Sequence, residues 1–92
     1  MKQEQAETIS IQALGWLATD ADLMGVFLGS TGADLNNLKQ SATDPVFLGA
    51  VLDFLLADDS RVIGFCQATG LTFEAPMQAR QMLPGGQAVN WT

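Results

Sequence analysis

The 92-residue chain contains no histidine and no tyrosine. Without histidine, the commonest general base, the commonest zinc ligand and every Ser–His or Cys–His dyad are gone. Its one cysteine, Cys66, excludes an intramolecular disulfide. Cations are scarce too: Lys2, Lys39, Arg61 and Arg80 are spread along the chain, and against 10 acids they leave a net charge of −6. Readers of nucleic-acid backbones need a cationic stripe, so nucleic acid is not an expected partner. The longest apolar stretch, residues 46–57, is too short to cross a bilayer and carries Asp53. The opening MKQEQAETIS has no secretory apolar region. No segment alternates with period two, so no strand is expected. Together these absences predict a cytoplasmic, bacterial-type, all-α protein that is not an enzyme, needs no cofactor or metal, and meets neither nucleic acid nor membrane.

What the chain does have is a helical unit written twice. A shift of 38 positions lays residues 12–32 on residues 50–70 without a gap, and six pairs are identical: Leu14/Leu52, Leu17/Leu55, Asp20/Asp58, Phe27/Phe65, Thr31/Thr69 and Gly32/Gly70. Trp16/Phe54, Ala13/Val51 and Met24/Val62 keep their apolar character. Two copies are too few for an open solenoid. The expectation is a small compact bundle of about six short helices, formed by two pseudo-repeated three-helix units at about 6–41 and 44–83 around one core. Residues 1–92 make a single domain, with 1–5 and 84–92 as loosely ordered tails.

Helix signals place the elements. Ile9, Ala13, Trp16 and Leu17 share one face of a first helix over about 4–18. Asp20 opens a second helix with Leu23, Met24, Phe27 and Leu28 inward, and Thr31-Gly32 ends it. Asp34 caps a short third helix over 35–40. Asp44-Pro45 opens a helix that is apolar nearly all round and so belongs at the centre. Asp58-Asp59 begins the next, with Val62, Ile63, Phe65 and Cys66 inward and Thr69-Gly70 at its end. Thr72 is placed to cap a last helix reaching about Leu83, before Pro84-Gly85-Gly86.

Seven of the ten acids (Asp20, Asp22, Asp34, Asp44, Asp58, Asp59 and Glu74) fall at these helix starts. There they complement free amides and the helix dipole, each worth about 0.3–2 kcal/mol. Capping therefore accounts for the acidity without a metal, and no loop has ion-binding spacing. Asp53 stands apart, in mid-helix on a strip with Val46, Gly49 and Ala57. Either that strip meets solvent, or Asp53 pairs with Arg61 or Arg80, or Asp53 is a buried acid with a raised pKa. Cys66 aligns with Leu28, which assigns it to the core as an unreactive thiol.

Ala21, Gly25 and Gly29 form a small-residue stripe at i, i+4 and i+8. Interior glycines cost about 1 kcal/mol each relative to alanine, and close helix approach is the usual compensation. The other half of the chain, a second subunit or a ligand would pack there. Trp91, beyond two glycines, either folds back on the domain or anchors a partner.

Trp16-Leu17-Ala18 with Asp20, Phe27-Leu28 with Thr31-Gly32, and Asp44-Pro45 with Phe54-Leu55-Leu56-Ala57-Asp58 resemble the bacterial family catalogued as domain of unknown function 3572. The resemblance covers about residues 7–86. It implies a small helical cytoplasmic protein and brings no activity and no catalytic residues. With 48% of residues apolar, 15% charged and a mean hydropathy of +0.19, a chain this short leaves apolar surface outside its core. The leading functional expectation is a non-enzymatic protein–protein interaction module, with a homodimer or another protein as partner, whose surface includes Ala21, Gly25, Gly29, Asp53 and Trp91. The alternatives are a small-molecule pocket between the units, lined by Trp16, Phe27, Phe54 and Phe65, and an acidic antagonist of a basic partner.

Overall fold

The computed structural model describes residues 1–84. Trp91 lies outside the described residues. The described residues form six helices, α1 (Gln3–Ala18), α2 (Ala21–Thr31), α3 (Leu38–Ser41), α4 (Pro45–Leu56), α5 (Asp59–Thr69) and α6 (Ala75–Gln81), with a 3-10 turn at Leu35–Asn37 leading into α3. No strand occurs among the described residues, so the fold is an all-α bundle.

Local chemistry sets the helix boundaries. Asp20, Asp34, Asp44 and Asp58 each accept a backbone N–H from the first turn that follows, at 2.9–3.1 Å. These bonds satisfy amides that have no intrahelical partner. Gly32 (φ 73°) and Gly70 (φ 78°) close α2 and α5 in the left-handed conformation, each donating its N–H to the residue four back. Thr31 and Thr69 add a matching hydroxyl bond to the carbonyls of Phe27 and Phe65. α1 starts at Gln3, where the Gln5 side chain accepts the Lys2 N–H. The last helix departs from expectation. Its N-cap is Glu74, whose side chain makes no capping bond, while the Thr72 carbonyl accepts both the Ala75 N–H and the Cys66 thiol.

Packing is organised around α4, the helix that is apolar nearly all round. It meets α1, α2, α5 and α6, and α1 also packs against α6. Leu17, Leu48, Leu52 and Leu55 are sealed in the centre with Phe27 and Phe65. Fully burying a side chain of this size stabilises the fold by about 1.5–3 kcal/mol. Aromatic edges join the two halves of the sequence. Phe27 of α2 meets Phe54 of α4 at 5.3 Å between ring centroids, and Phe65 of α5 meets Trp16 of α1 at 6.1 Å.

Those two contacts exchange partners across the 38-residue offset. They do not establish two equivalent three-helix units, because the third helices behave differently. α6 wedges between α1 and α4, and Ala75, Ala79 and Leu83 are buried there. α3 is a single turn with no fully buried residue.

Candidate functional site

Of the three occupants considered for the small-residue stripe, the other half of the chain does not pack there. Ala21, Gly25 and Gly29 all face solvent, and a Cβ added at either glycine would meet nothing within 4 Å. No helix approaches them. Close approach occurs at two other glycines. A Cβ at Gly64 would come within 2.9 Å of the Trp16 ring, and one at Gly49 within 2.9 Å of the Arg80 guanidinium. Gly64 therefore seats the indole, and Gly49 opens a path for Arg80.

Asp53 sits 60% exposed at its side chain, which rules out a buried acid. Arg80, reaching from α6 across Gly49, holds it in a fork, Nε to Oδ1 at 2.6 Å and Nη2 to Oδ2 at 3.1 Å. The remaining Arg80 nitrogen donates to the Pro84 carbonyl at 2.9 Å. This cluster clamps α6 onto α4 and is fully occupied by its own partners. Arg61 is likewise committed, its guanidinium 3.9 Å above the Phe54 ring and donating to the Phe54 carbonyl. Cys66 is buried, and burial, reinforced by the nearby Glu74 carboxylate, pushes its thiol pKa up.

The aromatic residues expected to line an inter-unit pocket are spent on packing: Phe27 and Phe65 are fully buried and meet their neighbours edge-on. None of the four lines either of two surface grooves formed by the described residues. No group of three or more Cys, Asp and Glu side chains among the described residues is arranged to hold a metal ion.

The larger groove, about 420 Å³, runs between α5 and α6 at the end of α4 and is lined by Leu56, Asp59, Val62, Ile63, Phe73 and Met77. Ile63, Phe73 and Met77 are 42%, 57% and 56% exposed. Ile63 was expected inward. It turns outward because Val62, Phe65 and Cys66 occupy the α5 face that meets the core. A smaller groove of about 270 Å³ is lined by Ala18, Ala21, Met24, Gly25, Leu28 and Leu35. The 38-residue offset relates five positions of the two grooves: Ala18/Leu56, Ala21/Asp59, Met24/Val62, Gly25/Ile63 and Leu35/Phe73. Ala21 and Gly25 of the stripe thus line one groove, while the equivalent positions of the other carry a carboxylate, Asp59, and a large apolar side chain, Ile63. Sequence periodicity passed over Phe73 and Met77. The offset, which pairs Phe73 with Leu35, was a signal for Phe73; Met77, paired with Lys39, had none.

This is a small helical bundle with an open apolar groove on its surface. The chain belongs to the family described as Protein of unknown function (DUF3572), which it matches over residues 3–86. Comparisons with curated proteins and with solved structures give no match. No helix among the described residues is long and apolar enough to cross a membrane.

Proposed function

We propose that the protein is a non-enzymatic, cytoplasmic interaction module that docks a protein partner through the α5–α6 groove. The observation that carries this reading is the convergence of Ile63, Phe73 and Met77, half-exposed, from α5, α6 and the turn between them into one apolar trough. Isolated exposed apolar residues are ordinary, but contiguous ones mark interaction surfaces.

The test compares the wild type with Phe73→Ser/Met77→Ser as baits in extracts of the native organism, with Val26→Ser as a control for exposed apolar surface elsewhere. A partner retained by wild type and Val26→Ser, and lost with the groove variant, supports the reading. Equal retention by all three overturns it. Sedimentation equilibrium of the same proteins identifies a second copy as the partner if the wild type dimerises and the groove variant does not.

A further inference from the structure

We infer that the occupant of the α5–α6 groove is an amphipathic helix with an apolar face flanked by Lys or Arg. The inference rests on the interaction reading above and adds the partner's conformation and charge.

The conformation follows from what the groove offers. Its lining is side chains, five of the six apolar. No strand edge exists among the described residues to pair with an extended peptide. An extended segment laid into the trough would bury backbone amides and carbonyls with nothing to bond. A helix brings its backbone already bonded and needs only apolar anchors at i, i+3 or i+4 to fill the trough between two helices.

The charge follows from the rim. Asp59 lines the groove, Asp58 adjoins it at the N-cap of α5, and Glu74 follows Phe73 directly; all three are exposed. No Lys or Arg lines the trough. Arg61 and Arg80 are held against α4, one on the Phe54 ring and the other on Asp53. Arg61 lies near enough to offset Asp58 in part, so the charge of the rim rests on Asp59 and Glu74, within a chain of net charge −6. A second copy would bring like charges face to face, which is costly, whereas flanking Lys or Arg would be drawn in and oriented.

The probes are three fluorescein-labelled 18-residue peptides with leucine at helical period and Lys, Gln or Glu at all other positions, plus a scrambled Leu/Lys peptide. Each would span about 27 Å as a helix. Anisotropy titrations use the full chain, its Phe73→Ser/Met77→Ser variant and its Asp59→Asn/Glu74→Gln variant. The expected order is Leu/Lys tightest, Leu/Gln roughly tenfold weaker, and Leu/Glu weaker still, with the gap shrinking as salt rises. Each double variant is expected to weaken Leu/Lys binding at least about tenfold, and the scrambled peptide to bind no better than the variants allow. Leu/Gln or Leu/Glu binding as tightly as Leu/Lys, with loss in Phe73→Ser/Met77→Ser, overturns the basic helix and leaves the docking groove standing. Leu/Lys binding that is indifferent to Phe73→Ser/Met77→Ser, or matched by the scrambled peptide, overturns it as mere charge adsorption. Absence of binding by every peptide overturns it as well. Unchanged circular dichroism of both variants excludes misfolding as the cause of any loss.

Discussion

Glycine-to-alanine substitutions at three helical positions should divide cleanly by sign. Gly25 and Gly29 lie within α2, face solvent, have ordinary helical backbone, and offer a new Cβ nothing to strike within 4 Å. Alanine there gains helix propensity of about 0.8–1.0 kcal/mol per site. The double variant should gain about 2 kcal/mol, a rise in Tm of roughly 8–16 °C for a domain of this size. Gly64 of α5 would gain the same propensity, but its Cβ would sit 2.9 Å from the Trp16 ring. That ring is held edge-on to the fully buried Phe65, so it has little room to retreat. Overpacking of this kind costs about 1–3 kcal/mol, which outweighs the gain or cancels it. Gly64→Val adds bulk and removes the propensity advantage, so it should destabilise outright. The assay is urea unfolding followed at 222 nm, with unchanged m-values as the check that only stability moved. Loss of stability in Gly25→Ala/Gly29→Ala would refute the reasoning by showing that something packs on the stripe in solution. A full propensity gain in Gly64→Ala would refute the seating of Trp16.

The Asp53–Arg80 fork should show a coupling of about 1 kcal/mol in a double-mutant cycle to alanine, near the upper end for exposed pairs because the geometry is bidentate. Arg80→Ala should cost more than Asp53→Ala, since Arg80 also packs over Gly49 and holds the Pro84 carbonyl; equal costs would contradict this. The Asp58 carboxylate is held below the usual aspartate pKa chiefly by the Ser60 hydroxyl and then by the Ser60 N–H. Its folded pKa is depressed, so its stabilising effect is present above the unfolded value and lost as pH falls through the folded one. An NMR carboxyl titration should find its midpoint below that of an unstructured aspartate, and Ser60→Ala should raise it; a midpoint at or above the unstructured value would refute the cap. Cys66, buried and with a raised pKa, should react with an aromatic disulfide reagent far more slowly in the native than in the urea-unfolded chain. Similar rates would show that α5 opens readily.

The parts of this fold that were legible in the sequence are those fixed within one or two turns of chain. Asp20, Asp34, Asp44 and Asp58 cap helices as their positions predicted, and Gly32 and Gly70 end them, because capping needs only local spacing. The central place of α4 was legible because a helix without a polar face has nowhere else to go. Tertiary approach was not. Gly25, Gly29, Gly49 and Gly64 look alike as letters, and only the neighbours brought in by folding decide which of them takes a side chain. The α6 start failed for a related reason: Thr72 had the right residue type for a cap, but its carbonyl was drawn into bonds to Ala75 and Cys66.

The same distinction explains why the groove was not legible in the sequence. Periodicity assigns a side chain to a face, and Ile63 was assigned inward with Val62. Yet a helix of 11 residues covered by one neighbouring layer buries only a narrow stripe, so the flanking position is left out. Ile11, Val26 and Val46 are exposed singly and need no explanation, because a small domain with this apolar content leaves some such residues outside. Ile63, Phe73 and Met77 differ in that they converge. The 38-residue offset makes the difference sharper, since it relates most of this groove's positions to those of a second groove on the same chain. At the first groove those positions hold Ala18, Ala21, Gly25 and Leu35; at the second they hold Leu56, Asp59, Ile63 and Phe73. Bundle stability alone requires neither the exposed bulk nor the added acid, since the first groove closes its part of the bundle with smaller, uncharged side chains. Size and charge together are what an apolar, positively flanked helix would recognise, and the first groove offers less of both.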